Sequence, residues 1–407
     1  MKRSNRQSGL TLIELLVGTG IAAVAIAMAS MAMVTQSQAM RALDLTRGAN
    51  TSSREAMQQI EHNLRLLGWG IDPHFAIDLT TNCLNPTPPG PCRDQVNAPD
   101  QLAFVSRNPM YRFLNQNEGG CALVNGCTYG KAWPISAMTT GLPNTITISP
   151  QATNPSSVNL EMGRIVLAVC AGGQNATMLT LDRSYTISNA GSFVLNPVSA
   201  PSPPYNDWNS LLPCHGAAGA MLFLVDHYRY FVQPPPPGQT TYWLMLDLGL
   251  DLNGNGTLPP ADTADLIPVA KGVEDMQVAY VIPPNPACAT APDNGPGATG
   301  DWIIGNNPGV VEEPLGTLAT VPPTYQTAAN DPSRCNSLNA ANVRGVRVSL
   351  TIRSEMPDRS KGPTWTGDSV PFAENHTGTA SGGNYRRYTS ETEITLRNLD
   401  SRSPFIY

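Results

Sequence analysis

Charge is scarce in this sequence. Asp, Glu, Lys and Arg make up 14% of 407 residues, and the 25 basic residues are outnumbered by 31 acidic ones. The resulting net charge of −6 gives no electrostatic footprint for nucleic acid. Histidine is also rare: His62, His74, His215, His227 and His376 are scattered, with no metal-ligand spacing among them. No CxxC pair occurs, so zinc-ribbon and thioredoxin readings have no support. No GxSxG, HExxH, P-loop or dinucleotide fingerprint stands in a strand–helix context. Cys214 and His215 are adjacent, but neighbours in a strand point to opposite faces. The chain therefore offers no catalytic constellation, and a non-enzymatic role is expected.

Hydrophobic residues make up 41%, which is enough for a large core and against wholesale disorder. Glycine and proline, 35 and 37 residues, predict a β-rich body with long loops. The eight cysteines are Cys83, Cys92, Cys121, Cys127, Cys170, Cys214, Cys288 and Cys335. All follow the N-terminal hydrophobic segment, and an even count in a loop-rich region points to disulfides in an oxidising compartment. Cys83–Cys92 and Cys121–Cys127 would close short loops, although eight cysteines admit 105 pairings.

Met1 to Gly9 carries Lys2, Arg3 and Arg6 and no acid. Leu10 to Val34 is apolar, with Glu14 its single charge, and is long enough to span about 30 Å of hydrocarbon as one helix. The basic flank stays on the cytoplasmic side. A signal peptide cut after Ala27-Met28-Ala29, or a plain anchor, would share the basic and apolar parts. Neither needs Glu14, because a carboxylate inside a membrane helix costs about 2.5–3.5 kcal/mol on insertion scales. Gly9-Leu10-Thr11-Leu12-Ile13-Glu14-Leu15-Leu16 resembles the prepilin peptidase site of type IV pilins and type II secretion pseudopilins. The resemblance implies cleavage between Gly9 and Leu10, methylation of the new N-terminus at Leu10, and an assembly role for Glu14. Leu10 stands where that family more often has phenylalanine. Pairing of Glu14 with a neighbour's new α-amino group would offset the cost of burying it and set the helix register.

Met57, Ile60, Leu64 and Leu67 continue a helical stripe that Gly68, Gly70 and Pro73 end. Gly48 to Ser53 is expected to weaken its middle, with Ser52 and Glu55 as a capping box that restarts it. Beyond Pro73, β-rich runs are predicted over Thr145–Ile148, Arg164–Val169, Met221–Val232, Tyr242–Leu248 and Met276–Ile282. Val346 to Arg353 alternates as a half-buried strand, and Glu393 to Arg397 does likewise. The run Pro283–Pro332 reads as an insertion tied by Cys288 and Cys335.

Leu64-Arg65-Leu66-Leu67-Gly68-Trp69-Gly70 resembles the helix exit of the PilW group of minor pilins. Gly272-Val273-Glu274-Asp275-Met276-Gln277-Val278-Ala279-Tyr280, Val343 to Leu350, and Tyr385 to Tyr388 with Thr395 to Leu399 are similar to its later strands. The departure is at Val281, where a proline-rich run replaces an acidic loop. The resemblance implies an α+β protein with the type IV pilin fold: a long N-terminal helix packed on an antiparallel sheet with large loop insertions. Its expected divisions are a leader (1–9), a transmembrane and assembly half-helix (10–35), a periplasmic half-helix (36–70) and a disulfide-containing head (71–407). The implied role is a minor pilin that helps initiate or cap a pilus within a tip or priming complex. The implied partners are other minor pilins, the major pilin, a tip adhesin, prepilin peptidase and the inner membrane. The bulky head favours a tip over the shaft. A pseudopilin tip subunit of type II secretion and a pilin-anchored calcium-dependent adhesin are the alternatives.

Asp251, Asn253, Asn255 and Gly256, with Asp262 at the twelfth position, resemble an EF-hand-type calcium loop without its helices. A polar Asn/Gly turn between strands is the competing reading. Trp133, Trp208, Trp302 and Trp365 lie near Pro/Gly-rich stretches, either as partner-binding anchors or folded back on the core.

Overall fold

In a computed structural model, residues 11–71, 76–77, 98–107, 132–139, 145–148, 157–170, 176–188, 193–195, 220–259, 262–281, 303–305, 343–358, 365, 367–370, 373–374, 376 and 383–400 are described. The chain begins with one helix, α1 (Leu12–Leu64), of 53 residues. At 1.5 Å per residue it is about 80 Å long. Thr11 caps it in an extended conformation (ψ 149°). The restart expected at Ser52 and Glu55 does not occur; the helix runs unbroken through Gly48. The capping box lies instead at Thr11 and Glu14. Gly48 is tolerated because one helix-interior glycine costs only about 1 kcal/mol and the following turns are packed on the head.

Those turns bury Ala49, Ser53, Ala56, Met57, Ile60 and Leu64, a stripe at helical spacing. The turn that follows the helix passes through Gly68, whose φ of +70° suits glycine and whose N–H donates to the Val105 carbonyl at 3.0 Å. A Cβ there would lie 2.5 Å from Leu399 Cδ2. The Asn398 side-chain amide donates to the Arg65 and Leu67 carbonyls, at 2.8 and 3.2 Å, and so satisfies acceptors left open at the helix end.

The strands are β1 (Leu102–Arg107), β2 (Ala132–Thr139), β3 (Thr145–Ile148), β4 (Ser157–Leu160), β5 (Ile165–Val169), β6 (Ala176–Thr180), β7 (Tyr185–Ser188), β8 (Phe193–Leu195), β9 (Met221–Gln233), β10 (Trp243–Asp247), β11 (Ile267–Lys271), β12 (Val273–Val281), β13 (Ile303–Ile304), β14 (Gly345–Arg353) and β15 (Arg387–Thr395). All named pairings are antiparallel, so the fold class is α+β.

β9 is the spine of a nine-stranded sheet. One flank pairs first with β5 and then with β10; the other pairs first with β2 and then with β1. The strand therefore joins two cores. Its second half, with Tyr230, Phe104 and Leu246, belongs to the core against α1. Its first half, with Leu222 and Leu224, belongs to a separate core around the buried Trp133, Ile146, Val166 and Leu179. Trp133 is thus a core residue and not an exposed anchor.

A second sheet, in the order β13-β12-β14-β15, turns Met276, Val278, Val346, Val348, Leu350 and Ile352 toward the helix. Its opposite face carries Asp275 and Gln277, in register with Thr351 and Ser349. The Asp100 carboxylate accepts from Val278 N–H at 2.8 Å, supplying an acceptor along β12. Cys170 is disulfide-bonded. The other seven cysteines, His74, His215, Trp208, Trp302, Gly9 and Leu10 lie outside the described residues.

Candidate functional site

Glu14 stands in the first turn of α1, and Thr11 N–H and Thr11 Oγ1 both donate to its Oε2 at 3.0 Å. Glu14 N–H returns a bond to Thr11 Oγ1 at 3.3 Å. The box forms because threonine at the cap and glutamate three residues later reciprocally satisfy open N–H groups. It also places a carboxylate at the positive end of the helix dipole. A carboxylate held here can accept a cation presented from outside the chain without leaving the helix start.

From Thr11 to Arg41 every residue is exposed, including Leu12, Ile13, Leu16, Ile21, Ile26 and Met31. This is the one helix, among the described residues, long and apolar enough to cross a membrane. Thr35 Oγ1 donates to the Met31 carbonyl at 2.9 Å, so its hydroxyl is satisfied within the helix. The free half is held to the body through the lower half. Thr46 Oγ1 meets Tyr388 OH at 2.6 Å, and the Asn63 amide donates to Tyr230 OH at 2.6 Å. Burial raises the Tyr230 phenol above its ordinary value, so it stays a neutral partner.

Across the outer face of the β12–β15 sheet, ionic contacts tie down the segment between β14 and β15. Arg387 donates to both oxygens of Glu274, at 2.6 and 2.9 Å, and Arg386 Nε donates to Asp358 at 2.5 Å. His376 Nδ1 lies 2.7 Å from Asp275 Oδ2, and both side chains are buried. The hydrogen bond to Asp275 raises the His376 pKa against the opposing effect of burial. Gln277 donates to the other Asp275 oxygen at 2.8 Å. Sequence reasoning missed these pairs, whose partners lie 28 to 113 residues apart. Val273 to Gln277 and Tyr385 to Tyr388 carried a signal, through their resemblance to family strands, but nothing in it paired them.

Asp251 is buried and organises the turn that follows β10. It accepts from the N–H groups of Gly254 (2.7 Å), Asn255 (3.1 Å) and Gly256 (2.7 Å). Asp262 accepts from Ala264 N–H at 2.8 Å and from the side-chain amides of Asn253 and Asn255. Those three bonds, the one from Asn253 foremost, hold its carboxyl below the ordinary value. The four residues singled out for calcium thus do converge. They do so with amide nitrogens turned toward Asp262, as a polar turn satisfied by its own groups. Among the described residues, no group of three or more His, Cys, Asp or Glu side chains gathers as a metal site.

Residues 252–398 match the family model of Type IV Pilus-assembly protein W, and residues 4–30 match the prokaryotic N-terminal methylation motif. The two matches support a type IV pilus minor pilin of the PilW family. No curated protein and no solved structure matches it. The PilW match runs from the turn that Asp251 organises to Asn398, whose amide closes the end of α1. It therefore takes in the whole β13-β12-β14-β15 sheet, together with the buried Asp275–His376 pair. The methylation motif covers the exposed apolar half of that helix and Glu14. The two matched regions are those of a structural pilin-like protein, and the motif with its apolar helix fits an inner-membrane-anchored pilin.

Proposed function

We propose that this PilW-family chain is cleaved between Gly9 and Leu10 by prepilin peptidase and methylated at Leu10. It then helps initiate or cap a type IV pilus as part of a tip complex. The observation that carries the reading is the division of α1. Its first 30 residues or so are mostly apolar and are exposed, and its last five turns are locked into a large head. Exposed hydrophobic surface on this scale needs lipid or neighbouring helices to cover it. A type IV pilin fold, with the head in the periplasm before assembly, accounts for both halves.

Glu14 is the assembly residue in this reading. A neighbour's α-amino group replaces Thr11 as its partner, and the pair fixes axial register. Glu14→Leu is expected to insert in the membrane and lose its leader, yet leave cells with few pili; wild-type piliation would overturn the assignment. A bulky residue at Gly9 leaves a larger precursor on a denaturing gel, and normal processing would refute the cleavage site. Other minor pilins, the major pilin and a tip adhesin are the proposed partners. Immunogold labelling along whole fibres, instead of at their ends, would rule out the tip placement. Loss of piliation on deletion, with protein secretion intact, separates this reading from a secretion pseudopilin.

The Asp251–Asp262 turn carries a second, lesser reading as a calcium site, since its carboxylates and amides already meet. Calcium titrated into the full chain in detergent raises the melting temperature if that reading holds, and Asp251→Ala removes the effect. No shift in the wild type counts against it.

A further inference from the structure

The β13-β12-β14-β15 sheet ends on β15, and the outer edge of that strand is open. Hydrogen bonds at its two ends fix which residues face outward. Leu396 N–H donates to the Arg344 carbonyl, and Ser354 N–H donates to the Arg386 carbonyl, both at 2.7 Å. The ladder between them has no register shift, and hydrogen-bonded pairs alternate along it. The even-numbered residues of β15 therefore bond to β14, and the backbones of Thr389, Glu391, Glu393 and Thr395 point away from the sheet. At the start of the strand the equivalent group is closed, because Arg387 N–H donates to Asp368 Oδ2 at 3.2 Å. From Thr389 to Thr395 no such closure exists among the described residues, and those four outward residues are exposed.

Proteins commonly blunt such an edge with a proline or a bulge. β15 has neither over its nine residues, and its guard is charge. Glu391 and Glu393 project from the face opposite the helix, which packs on Tyr388 and Ile394. One cation, Arg347, answers them at 3.6 and 3.5 Å, and Glu374 shares it at 3.6 Å. Burial raises the Glu374 pKa, yet the two exposed glutamates alone outnumber Arg347. Arg387 and Arg353 stand at the closed end, with Glu274 and Asp368 around them, and Arg397 lies beyond the strand. The open stretch is left with an excess of negative charge.

We propose that the open edge of β15 takes an extended strand from a neighbouring, different subunit, with lysine or arginine at two positions two residues apart. Main-chain bonds to Thr389, Glu391, Glu393 and Thr395 hold the strand, and its two cations meet Glu391 and Glu393. The inference rests on the assembly reading and adds to it a contact made by the head instead of the helix. A second copy of this chain does not fit. Two copies joined antiparallel along the stretch set Glu391 of each opposite Glu393 of the partner subunit, and like charges directly opposite are destabilising. The same glutamates that bar self-pairing select a basic strand.

The test uses the full-length chain expressed in its own host in place of the wild type. Glu391→Pro removes an outward N–H that β14 does not use, and proline fits an edge strand at such a position. It is expected to cut surface pili by about tenfold or more. Glu391→Thr keeps the N–H and one of the two glutamates, and is expected to stay close to wild type. Glu391→Lys combined with Glu393→Lys reverses the charge and is expected to fall as far as the proline variant. Melting temperatures of the detergent-solubilised variants are expected to match the wild type, which separates a lost contact from a lost fold. Wild-type piliation by the proline variant, or an equal loss with proline and threonine, overturns the proposal. Should the proline variant melt early, the double lysine variant decides, and wild-type piliation by it overturns the proposal in any case. Deletion of the whole chain is the control: normal piliation there removes the assembly reading itself, and this inference with it. If the deletion abolishes pili while the edge variants assemble, the edge contact alone falls.

Discussion

Single residues in this chain act mainly by closing polar groups over long distances. His376 and Asp275 are buried together, and the hydrogen bond between them raises the histidine pKa. A raised folded-state value stabilises the protein fully below the unfolded histidine pKa, about 6.5. That contribution is lost as pH climbs through the folded value. Thermal melts from pH 5 to 9 are therefore expected to show stability declining as pH rises above about 6.5, with the decline absent in His376→Gln. An Asp275→Ala change strands His376 and Gln277 in a buried site, and is expected to cost about 3–5 kcal/mol in chemical denaturation. Asp251→Ala removes the acceptor of three backbone N–H groups, and a loss of about 1–3 kcal/mol follows whether or not a cation is present.

At the scale of elements, the helix was the most legible part of the sequence, because a long apolar run and then a 3.6-residue stripe are strong signals. Its continuity through Gly48 to Ser53 was not, since local propensity there is weak and the turns from Ala49 onward are held by packing with the head. β14 and β12 could be read because one face is apolar and the other polar. β5, buried at every position as Ile-Val-Leu-Ala-Val, has no alternation, and only its run of β-branched residues marked it. The Asp275–His376 and Glu274–Arg387 contacts were invisible, because nothing local ties residues about a hundred positions apart. Glu14 was found through its cost in a membrane, but its capping bond to Thr11 was overlooked. The helix exit gives a direct test. Gly68→Ala must hold a positive φ and also displace Leu399, so a loss of about 1–3 kcal/mol is expected in denaturant melts.

For the whole molecule, the division of α1 predicts how the chain tolerates cutting. Removing residues 1–41 takes away, among the described residues, exposed ones only, and the remaining head is expected to be monomeric without detergent and to melt within a few degrees of the full chain. Removing residues 1–64 takes Ala56, Met57, Ile60 and Leu64 out of the core, and the product is expected to aggregate. Size-exclusion chromatography with a thermal melt checks both.

β9 has a mechanical consequence. A filament under tension pulls on the membrane end of α1, and the load enters the head through the core that holds the lower turns. One route to the outer core around Trp133 runs along the β9 backbone, the strand the two cores share, and another runs through the packed side chains of Ile71, Val105 and Ile165 into β5. Between Phe223 and Arg229 that backbone passes from a grip by β2 and β5 to a grip by β1 and β10, with β5 and β1 both paired at Val225. The outer module is therefore carried as cargo on one continuous strand, and strain at the anchor reaches it through the ladder around Val225 and the side chains packed beside it.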